Sequence, residues 1–98
     1  MKFLLILQGD SDPCLRRDDF ERAAHEAGEL VGGEVLAHPQ QAVHVPDRAD
    51  PASMDAYYLI DVETHDRAVE LARLLPDART AGRCVEIRAV MHPTAADF

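Results

Sequence analysis

The chain has 98 residues, the size of one domain, with 47% hydrophobic and 29% charged residues, the balance of a globular protein and not of a disordered one. Acidic residues outnumber basic ones 18 to 10, a formal net charge of −8, and that field repels phosphate backbones and anionic lipid. Nucleic-acid and membrane-surface binding are therefore disfavoured, the more so because Arg16-Arg17 is the only adjacent basic pair. The cysteines Cys14 and Cys84 are too few to staple a secreted domain of this size and fit a reducing compartment.

In chain order, the first element is the apolar run Phe3–Leu7, closed by Gly9-Asp10-Ser11-Asp12-Pro13. The run is short, ends in Gln-Gly-Asp and lacks a small-residue cleavage site, so it reads as a strand and not as a signal sequence. Because it does not alternate, both of its faces are expected to be buried. No stretch reaches the roughly 18–20 apolar residues that a membrane span needs, and the expected location is the cytoplasm.

From about Arg17 to Val31 the period changes to that of a helix. Phe20, Ala23, Ala24, Ala27, Leu30 and Val31 share one side, and Gly32-Gly33 is expected to stop it. Glu34–Ala37 and Ala42–Val45 are candidate short strands around His38-Pro39-Gln40-Gln41. A Pro/Asp-rich loop follows, then a strand over Ala56–Val62 rich in aromatic and β-branched residues. Thr64 is placed to cap a second helix that buries Ala68, Leu71, Ala72 and Leu75 and ends at Pro76. Cys84–Met91 alternates: Val85, Ile87, Ala89 and Met91 point one way, Cys84, Glu86, Arg88 and Val90 the other.

The predicted order is β-α-β-β-β-α-β, an α+β two-layer sandwich of the ferredoxin-like kind, one domain over residues 1–92 with a tail at 93–98. Two helices cover only one face of the sheet, yet the first strand is apolar on both. At about 25 cal/mol per Å2 of apolar surface, a second copy of the chain is the expected cover for the other face.

The histidines His25, His38, His44, His65 and His92 show no paired ligand spacing, and the cysteines form no C-x-x-C, so no metal or other cofactor is expected. His25 flanks Glu21 and Glu29 and reads as part of a solvated helix face, while His65 and His92 read as capping or solvent residues. His44, between Val43 and Val45, would point from its strand toward the face opposite them, where an imidazole serves as general acid or base. Glu86 and Arg88 share a face of the last strand and would hold a carboxylate or orient that imidazole. One of Tyr57 and Tyr58 must reach the same side. The expected pocket is thus His44, Glu86 and Arg88 as catalytic groups, with Tyr57, Tyr58 and Arg88 binding the ligand.

The opening Met1–Leu7 with Gly9-Asp10, the stretch Gly28–Leu36, Tyr57–Asp61 with Leu74-Leu75-Pro76, and Val85–Met91 together resemble the YCII-related proteins of the DGPF branch. The resemblance implies a ferredoxin-like dimeric α+β-barrel, a possible association with sigma factors of the extracytoplasmic-function type, and kinship with small isomerases and dehydrochlorinases that work in a dimer-interface pocket. The Asp-Gly-Pro-Phe signature itself is missing from Asp47–Asp55. The His-Asp pair of the YCII type would fall near Arg16-Arg17 and near Gln40-Gln41, where neither residue stands. Three functions follow from this reading: a homodimeric accessory or regulatory module binding a small ligand; a cofactor-independent isomerase or lyase using His44; and an interaction partner of a transcription factor that does not itself touch DNA.

Overall fold

Alternation along β1 (Lys2–Gly9) buries Phe3, Leu5 and Leu7 completely or nearly so and leaves Leu4 and Ile6 half-buried on the opposite face. The computed structural model describes residues 1–12, 14–47 and 54–92. Most of the expected Pro/Asp loop, and the expected tail at 93–98, lie outside these residues.

Helix α1 (Asp18–Glu26) buries Phe20 and Ala24 and carries Asp18, Asp19 and Glu21 in its first turn, where the helix dipole favours negative charge. It ends one turn earlier than its apolar pattern suggests. The Gly28 N–H donates to His25 O (3.0 Å) and the Glu29 N–H to Ala24 O (2.8 Å), the paired bonds of a Schellman ending. Gly28 supplies the left-handed turn this ending requires, with φ +70°. The stop is therefore Gly28 and not Gly32-Gly33, and Leu30 and Val31 belong to β2 (Leu30–Val35). Periodicity misled there because Leu30 and Val31 continue the helical spacing by coincidence.

β2 pairs antiparallel with β3 (Met54–Asp61), and Gly33 stands opposite Tyr58. A Cβ there would lie 2.6 Å from the Tyr57 carbonyl oxygen and 2.6 Å from Tyr58 Cδ1. The Leu36 N–H bond to Asp55 O (2.8 Å) is the last rung; the chain then leaves the sheet for a single 3-10 turn, Pro39–Gln41. The strand expected over Ala42–Val45 does not form, and that over Glu34–Ala37 is the end of β2. Val43 and Val45 are 88% and 92% exposed, so the alternating segment buries neither valine and lacks the apolar contact that would hold it on the sheet.

Thr64 caps α2 (His65–Ala72) as expected, its Oγ1 accepting from the Arg67 N–H (3.1 Å). The helix buries Ala68, Leu71 and Ala72, Leu75 follows fully buried, and Pro76 opens a second 3-10 turn, Pro76–Ala78. β4 (Arg83–Ala89) pairs antiparallel with β1. Val85 and Ile87 pack against the core while Cys84, Glu86 and Arg88 occupy the other face, the predicted phase.

Among the described residues the sheet order is β2-β3-β1-β4 with β-α-β-β-α-β connectivity, one strand fewer than predicted. This is the ferredoxin-like arrangement, a split β-α-β pair. The core lies between the helices and one sheet face: Phe3, Leu5, Leu7, Phe20, Ile60 and Leu71 are its centre. The slab measures 38 × 37 × 18 Å. Its open face carries Leu4, Ile6, Tyr57 and Leu59 along the two central strands, all half-buried and uncovered by any helix. Among the described residues no helix is long and apolar enough to cross a membrane.

Gly33→Ala should lower stability by about 1–3 kcal/mol, because backbone on a central strand must move to admit the methyl. Urea unfolding followed by circular dichroism measures it; an unchanged midpoint would contradict this β2–β3 register.

Candidate functional site

The phase that turns Val85 and Ile87 inward also turns Arg83 inward, so β4 enters the sheet with a guanidinium on its helical face. The Arg83 and Asp77 side chains are both wholly inaccessible, an arrangement tolerated only with full pairing. Arg83 achieves it. Its Nε and Nη2 donate to Asp77 Oδ2 at 3.0 and 2.8 Å. Its Nη1 and Nη2 donate to Asp55 Oδ2 and Oδ1 at 2.9 Å each. The remaining Nη1 proton goes to Asp10 O at 2.8 Å, so all five guanidinium protons are engaged.

Arg17, just before α1, adds a second fork: Nε to Asp77 Oδ1 at 3.0 Å and Nη2 to Asp77 Oδ2 at 2.9 Å. Two arginines and two aspartates cancel. Burial alone would raise the Asp77 carboxyl, but hydrogen bonds and charge from Arg17 and Arg83 outweigh it and hold the group below the usual carboxylate range. The cluster joins the β1–α1 loop, the start of α1, the start of β3, the turn after α2 and the start of β4.

Above it opens a cleft of about 310 Å3 whose walls include Ser11, Asp12, Arg17, Leu36, His38 and Asp55. The 3-10 turn positions His38: its Nδ1 accepts the Gln40 N–H at 3.1 Å. Asp12 is occupied locally, Oδ1 accepting the Cys14 N–H at 2.9 Å. Val35 connects this cleft to a second cavity of about 400 Å3, bordered by Glu21, Gly33, Glu34 and Tyr58. There the Tyr58 hydroxyl donates to the Glu21 carboxylate. Burial, reinforced by that bond and by the charge of Glu21, raises the Tyr58 phenol well above its ordinary range, so it remains a protonated donor. The Tyr58 ring packs on Phe20, with centroids 4.6 Å apart.

The pocket expected from the sequence is only partly assembled. Tyr57 and Glu86 flank Ile6 on the open face, and Arg88 lies in the next row opposite Leu4. Arg88 Nε stands 3.5 Å from Glu86 Oε2, and Glu86 Oε1 also accepts from Gln8 Nε2 (3.4 Å). Tyr58 projects to the helical face instead. His44 is half-buried beyond the 3-10 turn, off the sheet, and among the described residues no hydrogen bond or ion pair joins it to Glu86 or Arg88. The reason is the absent strand: without it, nothing aims the imidazole at that face. His25 is exposed. His65 rests edge-on against Phe3, with centroids 5.6 Å apart. Cys14 and Cys84 are both exposed free thiols. Among the described residues no cluster of three or more His, Cys, Asp or Glu side chains converges as a metal site would.

Sequence reasoning missed Arg17, His38, Asp55, Asp77 and Arg83. One signal was present. Extending the alternation of the last strand back by one residue puts Arg83 on the apolar face, where a charge demands acidic partners.

No family model and no curated protein matches this chain. Among solved structures it is similar to 5-chloro-2-hydroxyhydroquinone dehydrochlorinase from Burkholderia phenoliruptrix AC1100, in complex with 2,5-dihydroxybenzoquinone. The TM-score is 0.53 at 14% identity, over 95% of this chain and 96% of that one. At that identity the likeness is one of fold.

Asp77→Asn should cost about 3–5 kcal/mol by leaving two buried guanidinium groups short of charge. Because the Asp77 carboxyl is held low in the folded state, its contribution is complete above about pH 4 and shrinks as pH falls toward the depressed value. Denaturant midpoints measured from pH 6 down to pH 2 should therefore drop for the parent protein. The part of that drop due to Asp77 should vanish in the variant.

Proposed function

We propose that this chain binds a small organic ligand in the Arg17–His38–Asp55 cleft and acts as a homodimer closed over its open sheet face. The observation that carries the binding reading is the pinned guanidinium cluster beneath the cleft. Side chains fixed by several bonds each cost little further ordering when a ligand arrives. The apolar row Leu4, Ile6, Tyr57 and Leu59, rimmed by Glu86 and Arg88, supports the dimer. Full burial of one Leu or Ile contributes about 1.5–3 kcal/mol, so covering several would hold two copies together.

Kinship with the YCII-related proteins has two supports. One is the fold shared with a dehydrochlorinase. The other is that the two places where the resemblance would put a His-Asp pair, near Arg16-Arg17 and near Gln40-Gln41, meet at one cleft through Arg17 and the His38–Pro39 corner. A guanidinium and an imidazole stand there in place of the pair. A sigma-factor association has the resemblance alone behind it.

A second reading keeps the expected pocket on the open face, enclosed between two copies. It would be a cofactor-independent isomerase or lyase site built from Tyr57, Glu86 and Arg88, with His44 supplied from outside the sheet. The sharing of one face by Tyr57, Glu86 and Arg88 favours it.

Titration with 2,5-dihydroxybenzoquinone, followed by amide chemical shifts, separates the two. Changes should concentrate at residues 10–17 and 36–41; changes confined to β1 and β4 would select the open-face pocket instead. For the dimer, Leu59→Asp should convert a particle of twice 10.8 kDa into a folded monomer, read by sedimentation equilibrium. A parent protein that sediments at 10.8 kDa at micromolar concentration would end the dimer reading.

A further inference from the structure

The geometry points to the cleft as a receptor for a small organic anion, its negative oxygen held between Arg17 Nη1 and the Nε2–H of His38. This rests on the cleft being the ligand site and adds the chemical class of the ligand.

Three carboxylates lie at or beneath the cleft, and most of their acceptor capacity is committed elsewhere. Both Asp55 oxygens accept from Arg83, and Asp12 Oδ1 accepts from the Cys14 amide. Asp77, below, takes bonds from two arginines. The donors are not all committed. Arg17 uses Nε and Nη2 on Asp77, and among the described residues Nη1 has no acceptor. Every buried side-chain nitrogen and oxygen in the described structure has a partner, so Nη1 is not buried. Arg17 is only 15% exposed, and the cleft is the cavity that it lines.

His38 supplies the second donor. Its Nδ1 accepts the Gln40 N–H and therefore carries no proton, so the neutral ring bears its proton on Nε2. The backbone thus selects the tautomer whose remaining nitrogen donates. A guanidinium held by Asp77 and an imidazole N–H, both lining the cleft, are the donors for charge-assisted bonds to a carboxylate, enolate or phenolate oxygen. A neutral ligand of the same shape would gain far less from them.

The test uses two matched pairs of probes on the full chain, with affinities from calorimetry or amide shifts. The pairs are 2,5-dihydroxybenzoquinone with its dimethyl ether, and benzoate with benzamide. The anionic member of at least one pair should bind about tenfold or more tightly than its neutral partner. His38→Phe should remove most of that preference, with His38→Gln, which keeps an N–H donor, retaining much of it. His38 is exposed, so neither change threatens the core. Long-range imidazole 1H–15N spectra should show the Nε2-protonated tautomer. Equal affinity within both pairs would overturn the anion inference while leaving the binding site standing. A preference unmoved by His38→Phe, or the opposite tautomer, would overturn the assignment of His38. Absence of binding by all four probes would overturn the site reading and this inference together.

Discussion

Arg83 stands on the apolar side of the sheet, at the first position of β4, with every guanidinium proton bonded. Such a group tolerates no loose partner: withdrawing any one acceptor leaves a charge in a low-dielectric interior. The consequence is geometric. Asp55 must begin β3, Asp77 must sit in the turn after α2, and the Asp10 carbonyl must face inward from the end of β1. Four chain segments meet at one end of the molecule because one cation requires them to. Arg17 joins through Asp77, and by joining it is held where the cleft opens.

The opposite end of the sheet follows different physics. There the N-terminal ammonium reaches the Asp61 carboxylate at 3.0 Å and the Val62 carbonyl at 2.8 Å. Arg67 forks onto Glu29, bonding it three times at 2.8–3.2 Å. These partly exposed pairs are screened by water and contribute about 1 kcal/mol or less each, enough to hold loop positions and not to dictate them. The buried charge cluster and the cleft therefore share one end of the molecule, and partly exposed ion pairs occupy the other.

The two sheet faces divide the work. The helical face is closed and makes the core; the open face carries an apolar row bounded by Gln8, Glu34, Glu86 and Arg88. Glu86 and Arg88 are adjacent in phase and opposite in sign, so Glu34 leaves this border only slightly negative against a net charge of −8 for the whole chain. A near-neutral apolar surface on an otherwise acidic protein is one on which two copies can meet without strong mutual repulsion.

Much of the architecture was legible from side-chain period alone. Burial on one face of a strand or helix is a local property, so β1, β3, α2 and the phase of β4 follow from the order of apolar residues. The same rule erred where two periods overlapped. Leu30 and Val31 continue the helical spacing of α1, and only the Schellman bonds at Gly28 show that the helix has ended. It erred again at Ala42–Val45, whose alternation is genuine but whose valines are left exposed, with no apolar contact to hold the segment on the sheet. The site lay further out of reach. Glu86 and Arg88 were placed correctly on one face, since phase decides that. Arg17, His38, Asp55, Asp77 and Arg83 come from segments up to 66 residues apart in number (17 to 83). Sequence determined the strand phase that puts Glu86 and Arg88 on one face; which of 18 acids answer Arg83 was decided only when the chain folded, because pairing depends on distance in space and the sequence records only distance along the chain.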